Sequence, residues 1–157
     1  MLHDLLIRDI EGWAPRDNVP SSAALADQKI RGLDLEHEWW LSLLQSGERP
    51  TDDLEGAPAD QVVGVPTAWG YEPARLLCST LRDSYHAYAR DKRRPWKSDD
   101  ALGKVLADLG VQRRQVGTSR YRGKWCYVLP AFGQALHAMA DALGVPVERL
   151  SGGAELP

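Results

Sequence analysis

The chain has 157 residues, 43% apolar and 26% charged, which suits one ordinary domain or two small ones with a real buried core. A net charge of -3 and a pI near 5.8 give no reason, taken over the whole chain, to expect nucleic acid. Two cysteines, Cys78 and Cys126, are too few for a disulfide framework, and no apolar span of membrane length interrupts the sequence. A reduced, cytoplasmic protein without membrane contact is the expectation, with both cysteines as packing residues.

The average charge hides a segregation. Residues 90–125 carry eleven Lys and Arg against four acidic side chains, a local +7 that leaves about -10 for the rest. Residues 1–60 carry thirteen acidic side chains against five basic ones, so that half is not expected to face phosphates.

In chain order, LHDLLIRDI at 2–10 reads as a short helical segment ahead of a turn-rich stretch. Ser21 or Ser22 is placed to cap a helix through AALADQKIRGL. A second helix follows Asp34, with Leu35, Trp39, Trp40, Leu43 and Leu44 on one stripe and Gly47 as its stop. The stretch 47–70 is rich in Pro and Gly, carries Asp52, Asp53 and Glu55, and reads as a linker or long loop. VVGVPTAW near its end is able to add a short strand, and Trp69 is expected to pack. Pro73 is suited to a first helical turn, so a helix is expected from there to about Arg90, with Leu77, Leu81, Tyr85 and Tyr88 inward.

The centre of the chain is 98–129. Leu102, Val105, Leu106 and Leu109 share one helical face, with Ser98 as cap and Gly110 as stop. Two runs able to form strands follow, at 112–116 and 124–129, on either side of GTSRYRG. Pro130 then opens a helix with Phe132, Leu136, Met139 and Leu143 inward, and Gly144 ends it. The fold class expected is mainly α with a small β-hairpin wing, a winged helix-turn-helix preceded by a helical segment. Its divisions are an acidic helical segment at 1–46, the linker or loop at 47–70, the winged unit at 71–144 and a mobile tail at 145–157.

Searches for catalytic signatures fail. There is no GxxxxGK[ST], GxGxxG or GxSxG, and His3, His37, His86 and His137 lie at no metal-ligand spacing. No cofactor, metal or enzymatic activity is expected. The positive chemistry is phosphate binding, which needs Lys and Arg held on one surface. Arg113, Arg114, Arg120, Arg122 and Lys124 lie on the hairpin. Lys104 is placed to approach a groove, and Arg93, Arg94 and Lys97 to grip a neighbouring strand. Trp125, Tyr127 and Leu129 share a strand face and are expected to close the core, while Tyr121 at the loop tip is the candidate to touch a base or sugar. The helix from Ser98 offers Asp99, Asp100, Gly103, Lys104, Ala107 and Asp108 outward, few of them able to pair with base edges, so little sequence preference is expected.

The run SSAALADQKIRGLDLEHEWWLSLLQSGE resembles the segment that follows the ATPase core in phage and plasmid primase-helicases, the superfamily-three group with a poxvirus branch. The matching residues are Ala24, Leu25, Gln28, Lys29, Leu33, Asp34, Trp40 and Leu44. LRDSYHAYAR, ALGKVLADLG and RYRGKWCYVLP are similar to the winged-helix module that closes those proteins. The resemblance implies an accessory DNA-binding domain, part of a larger replication protein or encoded separately, working with an upstream ATPase or primase. Single- and double-stranded DNA both remain open as ligand. Two other readings stand beside it: a protein-interaction domain recruiting replication partners through Trp39, Trp40 and the acidic helices, and a free-standing winged-helix transcription regulator.

Overall fold

Five helices and two small antiparallel sheets make up the described residues, 23–51, 67–117 and 122–150 of a computed structural model. Helix α1 spans Ala23–Arg31 and α2 spans Leu35–Ser46. Strands β1 (Glu48–Arg49) and β2 (Thr67–Ala68) pair with each other. Strand β3 (Ala74–Leu77) leads into α3 (Cys78–Asp91), then α4 (Asp99–Asp108), β4 (Gln112–Gln115), β5 (Trp125–Leu129) and α5 (Phe132–Leu143). The expected segment at 2–10, the Ser21 or Ser22 cap, Asp52, Asp53, Glu55, Arg120, Tyr121 and the residues 151–157 lie outside this description.

Helix α2 is the hub, packing on α3, α4 and α5. Its stripe of Leu35, Trp39, Trp40, Leu41 and Leu44 is buried, and an aromatic chain crosses the core from it. Tyr85 meets Trp39 at 5.5 Å between ring centroids, Trp39 meets Trp40 at 5.9 Å, Trp40 meets Trp69 at 5.2 Å, and Trp69 meets Phe132 at 6.1 Å. All four contacts are edge-on, the arrangement the ring quadrupoles favour. Trp39 donates to Ser84 Oγ and Trp69 to the Pro130 carbonyl, so neither indole N–H is stranded. Residues from α2 and from 74–150 thus share one hydrophobic core. Truncating a member such as Leu81 or Leu106 to Ala would cost about 2–5 kcal/mol.

The helix ends follow the local chemistry. Ser98 accepts from the Ala101 amide, which fixes the start of α4. Gly110 and Gly144 adopt φ of 82° and 58°, and each helix closes by back-bonds typical of glycine stops: Val111 N–H to Leu106 O after α4, Val145 N–H to Ala140 O after α5. Helix α3 closes the same way on a non-glycine. Arg93 sits at φ 53°, with the Arg94 N–H on Ala89 O, a backbone strain of about 1–2 kcal/mol.

Two expectations change. The helix predicted from Pro73 begins only at Cys78, because Ala74–Leu77 pairs antiparallel with β5, Ala74 opposite Leu129 and Leu77 opposite Cys126. Ala74 and Leu76 point into the core while Arg75 is exposed, a period of two that the inward Leu77 and Leu81 had masked. The ribbon is therefore part of a three-stranded sheet in the order β3-β5-β4. Residues 145–150, expected to belong to a mobile tail, pack on the core through Val145 and Leu150, with a 3-10 turn over Val147–Arg149.

Candidate nucleic-acid interface

The ribbon is built by β4 and β5, with Gln112 opposite Val128 and Gln115 opposite Trp125. Backbone bonds carry the pairing beyond both strands: Val116 N–H donates to Lys124 O at 2.8 Å and Gly123 N–H to Val116 O at 2.9 Å. Gly123 takes φ 84°, which permits this return. Every residue of β4 is exposed, as are Arg122 and Lys124. From 109 to 140 the sequence contains no Asp or Glu, so no acidic side chain of the ribbon offsets these cations.

The pleat divides the cations between two faces. Arg114 lies across from Cys126 on the outer face and donates to Gln112 Oε1 at 2.6 Å. Arg113 lies across from Tyr127 on the face that continues into the core. Its guanidinium stands over the Trp125 ring, 4.8 Å from the centroid. Trp125 was expected to close the core with Tyr127 and Leu129. Instead it is 48% exposed, because the shared face runs beyond the edge of the helices before reaching it. Tyr127 does pack inward, its hydroxyl beside Gly103 of α4. Burial pushes the Tyr127 phenol up. Burial likewise raises the Cys78 thiol above its ordinary value, against the opposing effect of the nearby Arg113 charge.

The second basic cluster behaves differently. Arg94 Nη1 lies 2.7 Å from Glu38 Oε2, and Lys97 Nζ lies 3.1 Å from Asp34 and 3.2 Å from Glu36. These side chains, expected to grip a strand, bind the α3–α4 connection to the acidic N-terminal half of α2. Glu36 is 0% exposed, and its Oε1 accepts from the Tyr85 hydroxyl at 2.9 Å. Tyr85 in turn accepts from the Lys97 backbone N–H. The hydrogen bond to Asp34 and then the nearby Glu36 carboxylate raise the Lys97 ammonium, and burial followed by the Glu38 bond pushes the Tyr88 phenol up to about 12. This carboxylate network was not anticipated; the only signal was the density of Asp34, Glu36 and Glu38 beside a tryptophan pair.

Of the remaining candidates, Arg93 is exposed at its strained turn and Lys104 is exposed on α4. Asp99 is matched by Arg82 at 3.2 Å, whereas Asp100 and Asp108 are exposed. Trp96, half exposed, stacks on His86 at 4.8 Å. Trp39 and Trp40 are fully buried, so neither is available to recruit a partner. Among the described residues no group of three or more His, Cys, Asp or Glu is arranged to hold a metal, and no helix is long and apolar enough to cross a membrane. No protein-family model, curated protein or solved structure matches the chain, so the interface stands on its own geometry.

Proposed function

We propose that the protein is a non-catalytic DNA-binding domain of winged-helix type, gripping the phosphate backbone through the β4–β5 ribbon. The observation that carries this reading is the acid-free ribbon presenting Arg113, Arg114, Arg122 and Lys124 beyond the core. The order of elements from β3 onward supports it: strand, two helices and two strands, with the last strand between the other two. In that arrangement α3 and α4 form the helix pair and β4–β5 the wing. Phosphate contact from such a surface supplies affinity without sequence information.

The place in a phage or mobile-element primase-helicase rests on the order of short motifs alone. It is tested by reading the coding sequence ahead of Met1, where an in-frame Walker motif supports that parentage and an unrelated frame removes it. Binding itself is tested by reversing charge at Arg113, Arg114 and Lys124 together. In a fluorescence anisotropy titration at low salt the triple variant is expected to lose binding. Unchanged affinity sinks the assignment. With four or five phosphates neutralised, affinity should fall by about a hundredfold or more between about 50 and 200 mM salt.

A further inference from the structure

We infer that Trp125, held beneath Arg113, is a stacking site for an unpaired base, and that the ribbon's preferred ligand is single-stranded nucleic acid. The inference rests on the DNA-binding reading above and narrows it. A large indole left 48% exposed on a basic ribbon is the starting observation, since tryptophan at that position contributes little to the core.

The ring is held in place before any ligand arrives. Trp125 is the first residue of β5, paired in register with Gln115, and the adjoining Lys124 carbonyl accepts from Val116. Arg113 stands over the ring at 4.8 Å, and its strand is paired to β5 through Tyr127. A platform whose backbone and neighbour are both fixed loses little freedom when a base lands on it. The cation beside the ring adds attraction for the electron-rich base and for its phosphate.

The cation nearest this platform is Arg113, on the same face of the ribbon, while Arg122 and Lys124 precede Trp125 in the chain. A base laid on Trp125 brings its phosphate within reach of Arg113. Helix α4 argues against a duplex. Seated in a major groove, it would bring phosphates toward the exposed Asp100 and Asp108, with Lys104 as its outward cation. A strand on the ribbon escapes that repulsion. Bases within a duplex are also already stacked on one another, so Trp125 would gain little from them, whereas each unpaired base on an aromatic ring strengthens binding by about five- to a hundredfold.

The test uses the full chain and two fluorescein-labelled probes, an oligo-dT of about 15 nucleotides and a mixed-sequence duplex of about the same length, titrated by anisotropy at about 50 mM salt. The oligo-dT is expected to bind more tightly. Trp125→Ala should weaken it about tenfold or more while leaving duplex affinity within about twofold, and Trp125→Phe should recover most of the loss. Thermal unfolding of Trp125→Phe should match the parent and that of Trp125→Ala should fall only slightly, because the side chain is half exposed. Tighter binding of the duplex, or oligo-dT affinity unmoved by Trp125→Ala, overturns the inference. If the charge-reversed triple variant still abolishes binding in that case, the DNA-binding reading survives without it. If the parent chain binds neither probe, both fall.

Discussion

Two clusters of basic side chains lie about twenty residues apart in the sequence and look alike there, yet their surroundings differ. Arg94 and Lys97 face Glu38, Asp34 and Glu36 on α2 at 2.7–3.2 Å, so their charge is already matched. Arg113, Arg114, Arg122 and Lys124 sit on a ribbon that carries no acid. The first cluster holds the α3–α4 connection against the hub helix, and the second projects from a ribbon without acidic residues. Counting charges along a window adds the two together. What separates them is the acidic helix brought beside one of them by a fold that links residues some sixty positions apart.

The sharpest way to break the first cluster is Tyr85→Phe. It removes the hydroxyl that donates to the fully buried Glu36 carboxylate and accepts from the Lys97 amide. A buried charged acceptor deprived of its donor costs about 2 kcal/mol, discounted here because Lys97, the other partner, is half exposed. Denaturant unfolding should show the loss, with nucleic-acid affinity unchanged once folded protein is counted. A variant as stable as the parent would mean that Lys97 alone satisfies Glu36.

Next comes the comparison itself. Arg114→Ala should weaken binding several-fold and lower the slope of log affinity against log salt by roughly 0.7–0.9, as one phosphate contact does. Arg94→Ala should move neither quantity appreciably, because its guanidinium is engaged by Glu38. Equal effects in the two titrations would erase the distinction between the clusters.

The smallest effect is on pH. Folding raises Tyr88, Tyr85 and Lys97, Tyr88 to about 12. Each is therefore favoured in its protonated form by the native state. That contribution is complete below about pH 10, the ordinary tyrosine value, and is lost as pH climbs toward 12. The melting temperature should fall over that interval, and Tyr88→Phe should flatten the fall. A profile with the same slope in the variant would show that the Tyr88–Glu38 contact does not carry the fall.

Much of the helical framework was legible because apolar stripes and end signals agree: Ser98 caps α4, and Gly47, Gly110 and Gly144 end their helices. Strand β3 was not, since Pro73 imitates a helix start and four residues are too few for periodicity to decide. Pairing with β5, some fifty residues away, decided it. For Trp125 the alternation correctly put it on the face of Tyr127 and Leu129. Parity names a face, though, and not how far the core reaches along it. The exposure of Arg113, Arg114 and Arg122 was readable from sequence because a polar hairpin needs nothing else to expose them. The fate of Arg94 and Lys97 depended on a distant helix and was not.

The order β3-β5-β4 also constrains how the chain comes together. β3 and β4 each pair with β5 and not with one another, and β5 is the last of the three to be synthesised. Until Leu129 has emerged, Leu76 and its neighbours form an edge with no partner, exposed to association with other chains. The β4–β5 hairpin can close quickly from local contacts, while β3 must be captured across the two intervening helices, so its docking is the slow step of sheet formation. A fragment cut before Trp125 would therefore lack one strand and both pairings of the sheet, leaving β3 and β4 without partners.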